Sequence, residues 1–126
     1  LNFRGDIAAG EGDAVDLKKY GSRIFVDGAR IFALASGTRA VNTVERLRQA
    51  GAAAGLPASE IAALEAAFSQ ILRLRLAQQI EAVSRGESGG YGLKPAALHD
   101  IDRAILREAL KQAKRLQQRL KLNYAL

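Results

Sequence analysis

Apolar residues recur at helical spacing in two long segments of this chain. Between Pro57 and Gly86 they stand three or four positions apart, and the segment from Pro95 onward repeats that spacing. Each residue of an α-helix advances by about 100°, so such residues share one face. We therefore predict a long helix from Pro57 to about residue 85 and a second one that begins at Pro95. The predicted core stripes are Ile61, Leu64, Phe68, Ile71, Leu72 and Val83 in the first, and Leu98, Ile101, Ile105, Ala109, Ala113, Leu116 and Leu120 in the second.

Two shorter helices are predicted before these. Residues 22–36 are apolar on most sides, which is typical of a central helix, and Gly37 is a suitable C-terminal stop. Asn42 and Glu45 form a start that resembles a capping box, and we expect this helix to reach about residue 54. No alternating strand pattern is found. The sequence predicts an all-α fold, an up-and-down bundle of four to five helices.

Arg75 and Gln79 continue the apolar spacing of the first long helix and are predicted to face inward. Removing a guanidinium from water without hydrogen-bonding partners lowers the stability of a fold by roughly several kcal/mol. Either an internal acid pairs with it, or this face opens onto a cleft that binds an anion. Asp102 falls on the last stripe and is the candidate partner of Arg75, while Gln112 is a candidate partner of Gln79.

Arg30 also needs either a paired acid or a polar cleft, because it lies within an apolar run. Asp27, three residues earlier, is the candidate for local pairing, and a role for Arg30 at a polar cleft is equally open. The single histidine, His99, is expected on the surface near the start of its helix.

Composition excludes several kinds of chemistry. The 126 residues suffice for one domain, and 48% hydrophobic with 25% charged residues is typical of a globular protein. The chain has no cysteine and one histidine, which excludes a disulfide framework, a thiolate nucleophile and a histidine-rich metal site. No apolar run approaches the roughly 18 residues of a membrane span, and we recognise no signal peptide, so a cytoplasmic location is expected.

The net charge of +6 permits an anionic partner. Basic residues from Arg103 onward are spaced to cover the outer face of the last helix, which is typical of a solvated face, with nucleic acid or an acidic protein surface as the minority interpretation. The chain begins with Leu1 instead of methionine, and we expect it to be a fragment of a longer protein.

An ordered series of short motifs resembles a known family. The motifs are Asp16-Leu17-Lys18, Arg30 to Leu34, Thr43-Val44-Glu45-Arg46-Leu47, Ala67-Phe68, Leu74-Arg75-Leu76-Ala77-Gln78-Gln79 and the final helix ending Lys114-Arg115-Leu116-Gln117. Their order and spacing resemble the nucleotidyltransferase substrate-binding domain at the C-terminus of bacterial signalling proteins. In that family, CBS pairs, often a cyclic-nucleotide-binding domain, and then a nucleotidyltransferase domain lie upstream.

The resemblance implies a domain division and a non-catalytic role. Residues 1–15 would be an irregular lead-in from a preceding nucleotidyltransferase domain that is not in this chain, and residues 16–126 the helical substrate-binding domain. Catalytic domains of such enzymes have Gly-Ser followed by a pair of acidic residues that hold magnesium. Here Gly21-Ser22 is followed only by Asp27. This chain alone would bind no cofactor, whereas Mg²⁺ and a nucleoside triphosphate are implied for the full-length protein.

The resemblance also implies the site. Six residues would line the cleft of the neighbouring catalytic domain and contact a nucleotide or an acidic protein substrate: Lys18, Arg30, Thr43, Arg46, Arg75 and Gln79. Lys18 and Arg46 are the preferred ligand contacts, whereas Arg75, supported by Asp102, would maintain the shape of the cleft.

Two other functions remain open. The chain could be a helical interaction module that binds a protein partner without touching nucleotide, or a small nucleic-acid-binding bundle. Convergence of Lys18, Arg30 and Arg46 on one concavity would distinguish the substrate-binding interpretation from the interaction module. A nucleic-acid bundle instead predicts binding with a steep salt dependence.

Overall fold

A computed structural model describes residues 15–87 and 92–125, and this part of the chain contains four α-helices. In chain order the elements are strand β1 (Val15–Asp16), a π-helical turn (Lys18–Ser22), helices α1 (Arg23–Ser36), α2 (Thr43–Ala53) and α3 (Ala58–Ser84), strand β2 (Gly92–Leu93), a 3₁₀ turn (Pro95–Ala97) and helix α4 (Asp100–Tyr124). The all-α bundle predicted from the sequence is confirmed. No described helix is both long and apolar enough to cross a membrane.

The ends of the first three helices follow the predicted signals. Gly37 ends α1 in the left-handed conformation, with φ of 72°, which glycine adopts without strain. The side chain of Asn42 caps α2 by accepting a hydrogen bond from the backbone N–H of Glu45 at 2.8 Å. Pro57 directly precedes α3, which ends at Ser84.

The predicted start of the last helix is wrong. Pro95 begins only a 3₁₀ turn, and α4 starts at Asp100 after His99, which is exposed as expected. The guanidinium of Arg103 donates to the carbonyls of Pro95 and Leu98, at 3.1 and 3.2 Å. The carbonyl of Pro95 also accepts from the backbone N–H of Leu98, which closes the 3₁₀ turn, so the backbone here does not form an α-helix.

A short antiparallel sheet is present although the sequence shows no alternating strand pattern. Val15 pairs with Leu93 and Asp16 with Gly92. Two residues per strand are too few to show alternation, so the sequence carried no signal for them. Val15 also belongs to the predicted lead-in of residues 1–15, and the rest of that segment lies outside the described residues.

The two long helices are antiparallel. Glu60 near the start of α3 bonds to Arg119 near the end of α4, with both carboxylate oxygens within 2.9 Å of one Nη. Further along, Arg73 of α3 pairs with Asp102 near the start of α4 at 3.0 Å. Helix α1 packs on both: the ring of Phe25 lies 5.7 Å from that of Phe68, and Gly28 lies against Leu116.

One hydrophobic cluster joins all four helices. Its fully buried large side chains are Leu17, Phe25, Phe32, Leu47, Leu64, Ile71, Leu106, Leu110 and Leu116. Helix α2 adds an ion pair to this packing, because Arg48 bonds to Glu65 of α3 at 2.8 Å. The hydrogen bond and the negative charge of Glu65 raise the pKa of Arg48.

Parts of the predicted stripes are wrong. Leu72, Val83 and Ile101 were expected in the core, yet Ile101 is 75% exposed. In α4 the inward positions near the start are Leu106 and Leu110, so the stripe is displaced from the predicted one there. In the second half of α3, Leu74 and Ala82 stay buried while a further row of apolar residues faces outward. We call this row the α3 outer stripe: Leu72, Leu76, Ile80 and Val83, exposed by 41, 58, 61 and 70%.

Candidate functional site

Arg75 is tied to the N-terminal end of α1. Its Nη1 donates to the Oγ of Ser22 at 2.8 Å, and Ser22 is only 3% exposed. The predicted pair of Arg75 with Asp102 is wrong, since the carboxylate of Asp102 bonds to Arg73. The physical reason is helical phase: Arg73 and Arg75 differ by about 200° around α3, and the side that carries Arg73 faces α4 at this level.

Lys18 lies on the same π-helical turn as Ser22. The turn is held by Asp16, whose Oδ1 accepts hydrogen bonds from the backbone N–H groups of Lys18 and Lys19, both at 3.0 Å. Lys18 is half-buried. We call Lys18, Ser22 and Arg75 the π-turn cluster; it brings two predicted cations to one end of α1.

Gln79 follows Arg75 by one turn of α3 and is half-buried. Its predicted partner Gln112 bonds to Glu108 on its own helix at 2.9 Å instead. The antiparallel pairing of α3 and α4 places Gln112 near the start of α3, several turns from Gln79, and that separation excludes the contact.

Thr43 and Arg46 lie at the start of α2, away from the π-turn cluster. Thr43 is the first residue of α2, and the Nε of Arg46 donates to the carbonyl of Ala40 at 2.9 Å, in the loop that follows α1. The terminal amino groups of Arg46 make no hydrogen bond with any described residue. Arg46 thus holds the loop with one nitrogen and retains donors for a ligand.

Arg30 is exposed on α1, and so is Asp27. The predicted local pairing of these two is wrong, because no hydrogen bond or ion pair joins them. The three cations stand at different points along α1. Lys18 lies before its start, Arg30 lies on its second turn, and Arg46, on α2, contacts the loop after its end. Arg75 contacts the turn that carries Lys18, whereas Arg46 lies beyond the other end of α1, so Lys18, Arg30 and Arg46 do not converge on one concavity.

The α3 outer stripe runs beside part of this site. Leu76 and Ile80 are the immediate chain neighbours of Arg75 and Gln79, and by helical phase Gln79 borders the stripe. From Leu72 to Val83 the stripe extends for about 16 Å at 1.5 Å per residue. A contiguous exposed apolar surface therefore lies next to a half-buried cation and amide.

Ser22 and Asp16 were not predicted as functional residues. Ser22 was part of a Gly-Ser pair set aside as unrelated to catalysis, and its contact with Arg75 spans 53 positions. No local pattern signals a contact of that range. Asp16 was recognisable, because a carboxylate two residues before a turn commonly caps backbone N–H groups.

Most basic residues of α4 are exposed to solvent, as the sequence predicts. Arg103 and Arg119 are exceptions: both are half-buried, and Arg103 bonds to backbone carbonyls while Arg119 bonds to Glu60. The exposed cations are Arg107, Lys111, Lys114, Arg115 and Lys121.

A cavity of about 380 Å³ opens between the start of α3 and the second half of α4. None of the six predicted site residues lines it. Its lining is Leu56, Ser59, Glu60, Ala63, Leu64, Gln112, Arg115, Leu116 and Arg119. Among the described residues, no group of three or more His, Asp or Glu side chains is arranged to hold a metal ion.

These features define a small helical bundle with a cationic cluster at one end and an exposed apolar stripe beside it. The chain belongs to the family described as the putative nucleotidyltransferase substrate binding domain, which matches residues 1–124. No curated protein and no solved structure matches it. The family match includes residues 1–15, and their assignment to a lead-in stays a prediction.

Proposed function

We propose that this chain is the non-catalytic substrate-binding unit of a bacterial signal-transduction nucleotidyltransferase. The family to which the chain belongs supports the general role of a substrate-binding domain. The observation that carries the finer proposal is the position of the α3 outer stripe beside Arg75 and Gln79. A catalytic domain that covers the stripe would leave the π-turn cluster at the margin of the interface.

The stripe has the chemistry of a protein contact. Scattered exposed apolar residues are ordinary, whereas a contiguous apolar patch on a globular domain commonly marks an interaction site. The occupant we propose is the nucleotidyltransferase domain of the same protein, because the family is defined by its relation to that enzyme. Upstream CBS or cyclic-nucleotide-binding domains would then regulate the pair.

Lys18 and Arg46 are the proposed ligand contacts. Lys18 stands on a turn that Asp16 holds in place, and Arg46 keeps its terminal amino groups free of described partners. Cationic donors held in a fixed geometry stabilise the negative charge of a triphosphate or an acidic acceptor. Arg30 and Thr43 would add contacts from α1 and α2. Mg²⁺ would be held by the catalytic domain.

A titration of the full-length protein tests this proposal. Thermal shift and calorimetry with ATP, UTP, GTP and CTP in the presence of Mg²⁺ should reveal selective binding of one nucleotide. We expect Lys18→Ala or Arg46→Ala to weaken it by about tenfold, the equivalent of one charge-assisted hydrogen bond. Lys121→Ala, which removes an exposed cation from the end of α4, is the matched control and should change nothing.

Docking is tested separately with the double variant Leu76→Asp/Ile80→Asp in the same protein. Hydrogen exchange in the second half of α3 should be slow in the full-length protein and become faster in this variant. Unchanged exchange would overturn the proposed contact between stripe and catalytic domain.

The stripe equally favours a second function, a helical interaction module that never contacts nucleotide. That module predicts that the stripe variant loses docking, while Lys18→Ala and Arg46→Ala leave nucleotide binding by the full-length protein unchanged. The two sets of variants therefore separate the two functions.

A further inference from the structure

The outer face of α4 carries a row of exposed cations. None of them makes a hydrogen bond or an ion pair with any described residue. At 100° per residue they lie within about 120° of the helix circumference, opposite the residues that α4 buries. We call these five residues the α4 basic face: Arg107, Lys111, Lys114, Arg115 and Lys121.

The positive charge of the chain is concentrated on this helix. Residues 107–121 contain six Lys and Arg against one acid, a surplus of five in a chain whose net charge is +6. That acid, Glu108, accepts a hydrogen bond from Gln112, and the sixth cation, Arg119, is bound by Glu60. The spacing is that of any solvated face, but such faces commonly alternate charges of both signs. A row of one sign instead attracts an oppositely charged partner.

An exposed leucine extends the same row. Leu122 is 81% exposed and lies on the same side of α4, about 22 Å beyond Arg107 at 1.5 Å per residue. Its exposure does not result from fraying, because Leu120 is buried and the ring of Tyr124 lies 6.0 Å from that of Phe32 in α1. The row therefore presents cations and one apolar side chain in fixed positions, a combination typical of protein interfaces.

This combination favours a protein over other anionic partners. A phosphate backbone offers no contact to Leu122, and proteins that bind single strands stack bases on exposed aromatic rings. No described Phe or Tyr is exposed. A membrane surface is bound by an apolar helix face that inserts, whereas the apolar face of α4 is packed in the core. Carboxylates on a protein surface complement the cations and can surround an apolar residue that contacts Leu122.

From this arrangement we propose that the α4 basic face and Leu122 dock an acidic helix of a partner protein. A straight row of this length matches the side of another helix. Carboxylates at helical spacing on the partner pair with Arg107, Lys111 and Lys114, and an apolar side chain among them covers Leu122. The surface shares no residue with the proposed nucleotide contacts or with the α3 outer stripe, so it adds a second partner to the proposed function.

Calorimetric titration of this chain with a stapled helical peptide tests the docking. The peptide is about 20 residues long and has a row of glutamates at spacings of three and four residues, with one leucine in that row. We expect saturable binding at physiological salt. The triple variant Arg107→Gln/Lys111→Gln/Lys114→Gln should weaken it by about tenfold or more, because three ion pairs are lost.

The matched control removes three charges elsewhere. Arg23, Arg39 and Lys94 are exposed cations whose side chains have no described partner, and they lie on α1, in the loop after it and directly after β2. The variant Arg23→Gln/Arg39→Gln/Lys94→Gln should bind the peptide within about twofold of the unmodified chain, since salt screens distant surface charges. Thermal unfolding of both triple variants shows that they are folded.

Leu122→Ser probes the apolar contact. We expect it to weaken binding of the peptide by about fivefold through lost apolar burial. A peptide with serine in place of its leucine should bind the unmodified chain equally weakly. That peptide should lose no further affinity when it is titrated into the Leu122→Ser variant.

Three results would overturn the proposal: no saturable binding of the peptide, equal binding by the two triple variants, or duplex DNA of the same length binding more tightly than the peptide. The last would assign the α4 basic face to nucleic acid. These titrations contain no nucleotide and leave Lys18 and Arg46 unchanged. A failure here is therefore distinguishable from a failure of the proposed function.

Discussion

The guanidinium of Arg73 lies 3.0 Å from the carboxylate of Asp102, and this contact joins α3 to α4. Both side chains are partly solvated, so the pair contributes little, about 0.2–1 kcal/mol. In urea unfolding, a double-mutant cycle of Arg73→Gln with Asp102→Asn should give a coupling of that size. The same cycle with Arg75→Gln should give none. A coupling between Arg75 and Asp102 would contradict the geometry described here.

Arg75 should matter more to stability than Lys18 does. Arg75→Ala removes the donor to the buried hydroxyl of Ser22, and we expect a loss of about 1–3 kcal/mol in the free energy of unfolding. Lys18→Ala should cost less than half as much, because the N–H groups of its turn stay capped by Asp16.

The comparison is made by urea or thermal unfolding of the two variants. In a Ser22→Ala background, the cost of Arg75→Ala should fall, since the hydrogen bond is already lost. Equal melting temperatures for Arg75→Ala and Lys18→Ala would show that Arg75 does not stabilise the fold.

Two isoleucines of α3 offer a matched pair. Ile71 is fully buried and Ile80 is 61% exposed on the α3 outer stripe. Ile71→Ala should lower the free energy of unfolding by about 2–5 kcal/mol through lost burial and a cavity. Ile80→Ala should change it by less than about 1 kcal/mol in this chain. A comparable cost at both positions would mean that Ile80 is covered in solution.

Gly28 marks the closest approach of α1 to α4. A Cβ at this position would lie 2.9 Å from the Cδ2 of Leu116, which is itself buried. Overpacking of this kind costs about 1–3 kcal/mol, more than the gain of about 1 kcal/mol expected for alanine over glycine in a helix.

Gly28→Ala should therefore lower stability in chemical unfolding. Asp27→Ala, at the exposed neighbouring position, is the control and should stay within about 0.5 kcal/mol of the unmodified chain. A more stable Gly28→Ala variant would show that Leu116 and its neighbours can yield to a methyl group.

Local chemistry accounts for what was predicted correctly. Gly37 and Asn42 stop and start helices through backbone conformation and a side-chain cap, which act within four residues. The buried positions of α3 from Ile61 to Ile71 follow from helical periodicity. The family resemblance likewise rests on ordered local motifs, and the match of the family to residues 1–124 confirms it.

The sequence alone determined an all-α bundle, the ends of its first three helices and its family, because those depend on local propensity and periodicity. Tertiary structure decided the partners: Ser22 for Arg75, Asp102 for Arg73 and two backbone carbonyls for Arg103. It also decided that Leu72, Leu76, Ile80 and Val83 face outward. Periodicity shows that residues share a face but not which neighbour covers it, since that depends on how helices distant in sequence pack.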